Sequence, residues 1–479
     1  MLYFLIALIA ALVVFLAVVL IRAARFKPPV EKLEAAAEEI FDKDAATYAL
    51  GELVKCKTVS RYTHEEEDDA EFEKLIALLP TLYPHVFEKC TLQKMPDRGL
   101  LFHWKGKTEG DPAVLMAHYD VVPVNEDKWD KPPFAAIIED GVMWGRGTLD
   151  TKVTFNGVLS AANHLIAQGF VPECDIYFAF SGGEEVNGRG AVHIVNYFKD
   201  HGITPSAVVD EGGAVVEKVF PGVSKPCAMI GIAEKGLLDL RYTVQSNGGH
   251  ASAPKPHTPV GVLARACTRV EGKPFKAHIT KPVAEMFDTL GRHSTFLYRV
   301  IFANRWCFGF VLDLLAKKSG GEMNALMRTT VAFTQMSGST ASNVIPPSAS
   351  MVSNIRLNPE DTVESAVEYI RGVIDDENVT LEVVNGQNPS RISRTDCDGW
   401  RKVSRAVADT WQGSIVTPYL MVQCSDSRHW GVISDRVYRF SAMDLTSAER
   451  ATIHGNNERI RLESIGRAVE FYIRLMKQL

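Results

Sequence analysis

The chain has 479 residues, of which 46% are hydrophobic, 9% aromatic and 23% charged, with a formal net charge of −6. That length holds roughly two to four domains and a sizeable core, and the ordinary composition excludes extensive disorder. Mild acidity argues against a nucleic-acid partner, which would call for a basic patch, and no repeat of ~20–50 residues marks a solenoid.

Met1 to Ile21 carry no charged side chain. As a helix rising ~1.5 Å per residue, this stretch crosses a bilayer core of ~30 Å. It has neither the basic start nor the short apolar core of a cleavable signal peptide, so residues 1–22 are expected to form a single-pass transmembrane anchor. Arg22, Arg25 and Lys27 follow the span, which by the positive-inside rule puts the main domain in the cytoplasm. Large domains can cross despite such charge, so a lumenal or extracellular placement stays open, with Asn378-Val379-Thr380 as a glycosylation acceptor in that case.

Residues 23–40 read as a linker running into a helix. Ala113–Ala117, Ile176–Phe180 and Ser206–Val209 are short apolar runs ending in polar residues, as buried parallel strands do, and Phe155–Gln168 has helical spacing. Such alternation predicts an α/β layer with helices on both faces. From Leu238 the pattern changes: Leu238–Gln245 and Ala349–Leu357 alternate as half-exposed strands. The apolar stretch Phe296–Leu315 between them is interrupted by Arg299, Arg305 and Asp313, too often for a second span. It reads either as helices of a lid domain or as a surface for membrane or an acyl chain. From Pro359 a helix is expected, with Asn358 as N-cap. The boundaries drawn are a catalytic domain at 41–237 and 359–479, interrupted by a lid or dimerisation domain at 238–358.

The eight cysteines are scattered, with no CxxC pair, so a metal must be held by histidines and carboxylates. These fall where apolar runs end. His118-Tyr119-Asp120 places a carboxylate two residues from an imidazole, able to orient it on zinc. Asp150 follows Gly145-Arg146-Gly147 and opens a helix, where it serves equally as an N-terminal helix charge. Glu184 and Glu185 follow Ser181-Gly182-Gly183, a turn in which adjacent carboxylates can converge. Asp210-Glu211-Gly212-Gly213 repeats strand, acids and glycines, and His454-Gly455 precedes Asn456-Asn457-Glu458. Ligands of α/β sheets bind beyond the carboxyl ends of strands, so together these residues point to a two-metal site.

In order, His118-Tyr119-Asp120, Trp129 with Pro132-Pro133-Phe134, Asp140-Gly141, Gly145-Arg146-Gly147, Asp150-Thr151-Lys152, Glu184-Glu185, Asp210-Glu211-Gly212, Gly249-His250-Ala251-Ser252-Ala253-Pro254, Asn343-Val344-Ile345-Pro346 and His454-Gly455 resemble the dizinc exopeptidase/aminoacylase family of metallopeptidases. The resemblance runs from about residue 45 to the C-terminus and implies an α/β zinc-exopeptidase catalytic domain interrupted by a smaller α+β lid. It implies two Zn2+, with Co2+ or Mn2+ able to take the same ligands: His118, Asp150 and Asp210 on one, and Asp150, Glu185 and His454 on the other. Asp120 would orient His118, and Glu184 would be the general base passing a proton from water to the leaving amine. His250 and Asn343 would face the developing oxyanion, His250 from the partner subunit of a homodimer, and Arg356 would clamp the substrate carboxylate. Gln423 and Cys424, before Ser425-Asp426-Ser427-Arg428, depart from the small or amide residues of relatives. Within the family the expected reaction is Gly-X carboxypeptidase-like cleavage of short peptides beside a free carboxylate. The alternatives are hydrolysis or synthesis of N-acyl amino acids, which the apolar leader and Phe296–Leu315 motivate, and a non-catalytic binding homologue, against which the complete ligand set argues.

Overall fold

The computed structural model describes residues 1–29, 35–217 and 220–479; the 30–34 part of the expected linker lies outside the described residues. Eight strands form the main sheet, in the order Thr91–Met95, Gly99–Trp104, Ile176–Ser181, Ala113–His118, Ala207–Val216, Val437–Leu445, Cys227–Glu234 and Ile415–Met421. Its centre is parallel: Ala113–His118 pairs in parallel with both Ile176–Ser181 and Ala207–Val216, and Val437–Leu445 continues parallel to the latter. Every residue of Ala113–His118 and Ile176–Ser181 is buried, the signature of strands covered on both faces. The Lys152–Ala167 and Leu462–Met476 helices pack against each other within the core that this sheet shares.

Ala207–Val216 runs well past the expected Val209, carrying Asp210 and Glu211 inside the strand. Its register against Val437–Leu445 shifts there, Arg439 opposing Asp210 and Phe440 opposing Gly213, so Glu211 and Gly212 form a bulge. Gly212, at φ +141°, has the Met421 side chain and, at 2.8 Å, Arg439 Cβ of the neighbouring strand where a Cβ would sit, so a larger residue there would be strained and would crowd both.

A second, antiparallel sheet has the order Thr330–Ser337, Ser348–Leu357, Gly236–Gln245 and Thr380–Gln387. With helices Pro259–Gly272 and Val363–Ile374 it encloses a separate core containing Leu240, Tyr242, Leu263, Met351 and Ile370. Two expectations change. The unit extends past 358, because Thr380–Gln387 completes its sheet and Val363–Ile374 covers it. Its second helix begins at Val363 behind a Thr362 capping box, while Asn358 instead accepts from the Glu360 N–H in a turn.

A third correction concerns residues 281–327. Helices Lys281–His293, Phe296–Ala303, Arg305–Ser319 and Gly321–Met327 do not join this second core. Their buried side chains, among them Met286, Phe287, Leu290, Phe302, Leu312 and Leu326, join the main core instead. The N-terminal helix, Leu2–Arg25, is almost wholly exposed and is the one helix among the described residues long and apolar enough to cross a membrane.

Candidate metal centre

His118, ending a buried strand, is 2% exposed. Its Nδ1 lies 3.0 Å from the Asp120 carbonyl and 3.3 Å from Asp120 Oδ1, leaving Nε2 to face Asp150 Oδ1 at 3.1 Å and Glu211 Oε1 at 3.2 Å. His454 Nε2 lies 3.0 Å from Asp150 Oδ2 and 3.0 Å from Glu185 Oε2. Asp150 thus turns one carboxylate oxygen to each histidine. Asp120 also accepts the Glu184 and Glu185 N–H groups at 3.2 and 3.3 Å and the Ser60 hydroxyl at 2.7 Å, so one carboxylate orients His118 and pins the turn that aims both glutamates.

His454 is distant in sequence but tied to Asp150 through Glu458. Glu458 accepts the Leu149 N–H at 2.7 Å and the Asp150 N–H at 3.2 Å, and pairs with Arg146 at 2.5 Å, while Arg146 also donates to the Gly455 carbonyl. Strands Arg459–Arg461 and Val142–Trp144 pair just beyond. Both members of the ion pair are buried. Replacing Glu458 by alanine strands the Arg146 charge and is expected to cost about 3–5 kcal/mol of stability, measurable by denaturant unfolding.

The electrostatics call for cations. Asp120, Asp150, Glu184, Glu185 and Glu211 converge with two imidazoles as the only basic groups in contact with Asp150, Glu185 and Glu211 among the described residues. Burial pulls the His118 imidazole down, but Glu211, Asp120 and Asp150 outweigh it and hold it well above the usual range. Hydrogen bonds to Asp150 and Glu185 push His454 up to about 10. Burial pushes the Glu184 carboxyl well up and takes Glu211 to about 8. Ligand atoms of His118, Asp150 and Glu185, and of His118, Glu184 and Glu211, lie within 4.8 Å of one another. Two imidazoles, a carboxylate turned to both and a glutamate beside each form a donor set that fits two divalent cations.

One expected ligand is displaced. Adjacent strand residues face opposite ways, and here Glu211 meets His118 while Asp210 turns to the other side and accepts the Ser427 N–H at 2.9 Å. The Ser425-Asp426-Ser427 turn is held by Glu234, which accepts from both serines and forms a buried ion pair with Arg439. Asp210 is therefore an anchor for that turn. Alternation separates the faces of Asp210 and Glu211 without saying which one meets His118, and nothing in the sequence marks the Glu234–Arg439 pair. His250 and Asn343 do come together, on paired segments Gly249–His250 and Val344–Ile345, but both are exposed and neither contacts the carboxylate cluster. Arg356 reaches the site's rim, its Nη1 3.4 Å from Cys424 Sγ.

A cavity of about 470 Å³ opens from Asp150, Glu184, Glu185, Glu211 and His454. Away from these groups its wall is mainly apolar, with Phe220, Met229, Met286, Leu290, Leu326 and Met421, and the paired Glu322 and Arg450 also line it. The 281–327 helices supply one side of it, and Gln423 and Cys424 lie at its polar end.

Histidines and carboxylates gathered at the carboxyl edge of an interrupted α/β sheet, with one carboxylate shared between two clusters, define a metal-dependent hydrolase. The profile of Peptidase family M20/M25/M40 matches residues 114–478, and the chain belongs to that family. It is 34% identical over 482 residues to the N-fatty-acyl-amino acid synthase/hydrolase of Xenopus tropicalis, covering 98% of this chain and 94% of that one. Its fold is similar to the M20 family metallo-carboxypeptidase Sso-CP2 of Sulfolobus solfataricus (TM-score 0.66, 17% identity, 91% of this chain and 99% of that one). It is similar also to the YXEP protein of Bacillus subtilis, a dinuclear metal binding peptidase of the M20 family (TM-score 0.55, 13% identity, 91% of this chain and 98% of that one).

Proposed function

We propose that the protein is a two-metal amidohydrolase that cleaves, and in reverse forms, the amide bond joining a long-chain acyl group to an amino acid. The observation that carries this is the apolar cavity opening directly off the carboxylate cluster. A volume of about 470 Å³ suits a small-molecule pocket, and each buried methylene contributes ~0.8 kcal/mol. A dipeptide would leave the Phe220–Met286–Leu290 end unfilled. The 34% identity to a protein named as an N-fatty-acyl-amino acid synthase/hydrolase supports the same reading.

His118, Asp150 and Glu211 would hold one metal, and Asp150, Glu185 and His454 the other, with zinc suited to the donors and Co2+ or Mn2+ able to replace it. Bound there, two cations would polarise the scissile carbonyl and activate water. Glu184, its carboxyl pushed up by burial, takes the proton from the attacking water and returns it to the amide nitrogen as the C–N bond breaks, giving a carboxylate and an amine. Asp120 keeps Glu184 and His118 in register through its backbone and imidazole contacts. Arg356, at the rim beside Cys424, would receive the amino acid's carboxylate. His250 and Asn343, exposed together on the lid, would complete an oxyanion site in the partner of a homodimer. The N-terminal helix would anchor the enzyme in a membrane with the catalytic domain on the cytoplasmic face, following Arg22, Arg25 and Lys27.

The test is a substrate panel of N-oleoyl-phenylalanine, N-acetyl-phenylalanine and Gly-Leu, assayed with metal-loaded and chelator-stripped protein. Preference for the oleoyl substrate, lost on stripping, is expected. Turnover of Gly-Leu alone would establish instead the Gly-X carboxypeptidase reading. Narrowing the cavity separates chain binding from chemistry. Ala214 is a buried lining residue, and Ala214→Phe is expected to lower kcat/KM for the oleoyl substrate at least ~10-fold while sparing N-acetyl-phenylalanine.

A further inference from the structure

Helices Phe296–Ala303 and Arg305–Ser319 meet at Asn304 and form a corner that the chemistry described so far does not use. The corner is locked to the N-terminal helix. Asn304, fully buried, donates to the Val19 carbonyl at 3.0 Å and accepts from Arg22, whose guanidinium also donates to the Ala303 carbonyl. Trp306 packs edge-on against Phe15 with ring centroids 5.9 Å apart. Phe15 lies seven residues before Arg22, the first charge after the apolar stretch, which is ~10 Å along a helix. If Leu2–Arg25 crosses a bilayer, the side chain touching Phe15 sits below the level of Arg22, at hydrocarbon depth.

The corner is built for that position. Trp306, Phe310 and Leu314 recur every four residues on one face of the 305–319 helix and are 62%, 70% and 62% exposed, with Leu297 at 73% on the preceding helix. Such a contiguous apolar stripe is costly in water. Of the charges nearby, Arg299 lies over the Phe296 ring and the others are turned away or placed at the end. Arg305 donates to the Ala284 carbonyl, Asp313 pairs with Arg328 and Lys317, and Lys317 and Lys318 occupy the last turn, where long cationic side chains reach a headgroup layer. The opposite face of the corner backs on the cavity. Phe302 packs at a tilt against Phe220 with centroids 4.7 Å apart, and Phe220 lines the cavity.

We propose that the 296–319 corner is a second membrane-contacting element, seated in lipid beside the N-terminal helix and presenting the apolar end of the cavity to the bilayer. It rests on the membrane anchoring put forward above and adds a lipid surface that lies within the catalytic domain. An amphiphilic acyl substrate dissolved in the same bilayer then approaches the cavity from the lipid side, with its polar end towards the metal site.

The experiment uses the full chain reconstituted into phosphatidylcholine liposomes with and without brominated acyl chains. Emission from Trp306, taken as wild type minus Trp306→Phe, is expected to be blue-shifted and to lose most of its intensity in the brominated lipid. Combined Phe310→Asp and Leu314→Asp is expected to raise KM several-fold for N-oleoyl-phenylalanine presented in liposomes, leaving turnover of soluble N-acetyl-phenylalanine unchanged. Unquenched Trp306 in protein that floats with the liposomes overturns the proposal while leaving the anchor intact. Protein that does not float overturns the anchor and this proposal together.

Discussion

Glu184→Gln is expected to lower kcat by ~10²–10⁴-fold with the metal content and unfolding midpoint unchanged. The amide keeps the shape of the side chain and cannot accept the proton. Glu184 holds its place through its backbone N–H on Asp120, which the substitution does not touch. Burial, with the charges of Asp426, Glu211 and Glu185, already favours the neutral form of this carboxyl, so loss of its charge should not strain the fold. Metal analysis, thermal unfolding and turnover measured on one preparation check all three parts. A variant that keeps turnover within a few-fold of wild type would remove Glu184 as the proton carrier.

The second large effect separates neighbours. Glu211→Gln is expected to weaken one of two metals by more than ~100-fold and to reduce turnover correspondingly, because removing even a residue that only supports a metal ligand typically costs 10–100-fold. Asp210→Asn is expected to keep both metals. Its carboxyl, pushed by burial up to about 6, accepts the Ser427 N–H, and an asparagine oxygen can do the same. Equilibrium dialysis against zinc, with two sites fitted for each variant, gives the comparison. Metal loss in Asp210→Asn with retention in Glu211→Gln would restore the assignment expected from the motif.

That reversal shows where the sequence is readable. His118, Asp150 and Glu185 each follow an apolar run or a Gly-rich turn, His454 stands before Gly455 with no such run ahead of it, and the fold brings all four together. The choice within Asp210-Glu211 depends on which face of the strand each occupies, and a bulge at Glu211–Gly212 intervenes, so the pair alone could not settle it. Domain limits were hidden for a different reason. Val363–Ile374 and Thr380–Gln387 are an ordinary helix and strand, and only the pairing of Thr380–Gln387 with Gly236–Gln245 assigns them to the second sheet and its core. The 281–327 helices were given to the lid by their position in the chain, whereas their apolar faces match the main core and the cavity. Long-range partners such as Arg439 for Glu234 and Glu458 for Arg146 leave no local pattern at all.

The paired metal centre on which the chemistry depends is tested most directly by diffraction from zinc-loaded crystals at the zinc absorption edge. Two anomalous peaks are expected, one on each side of the Asp150 carboxylate, the first against His118 and Glu211 and the second against His454 and Glu185. A single peak, or zinc held by Asp210 with Glu211 turned away, would contradict it.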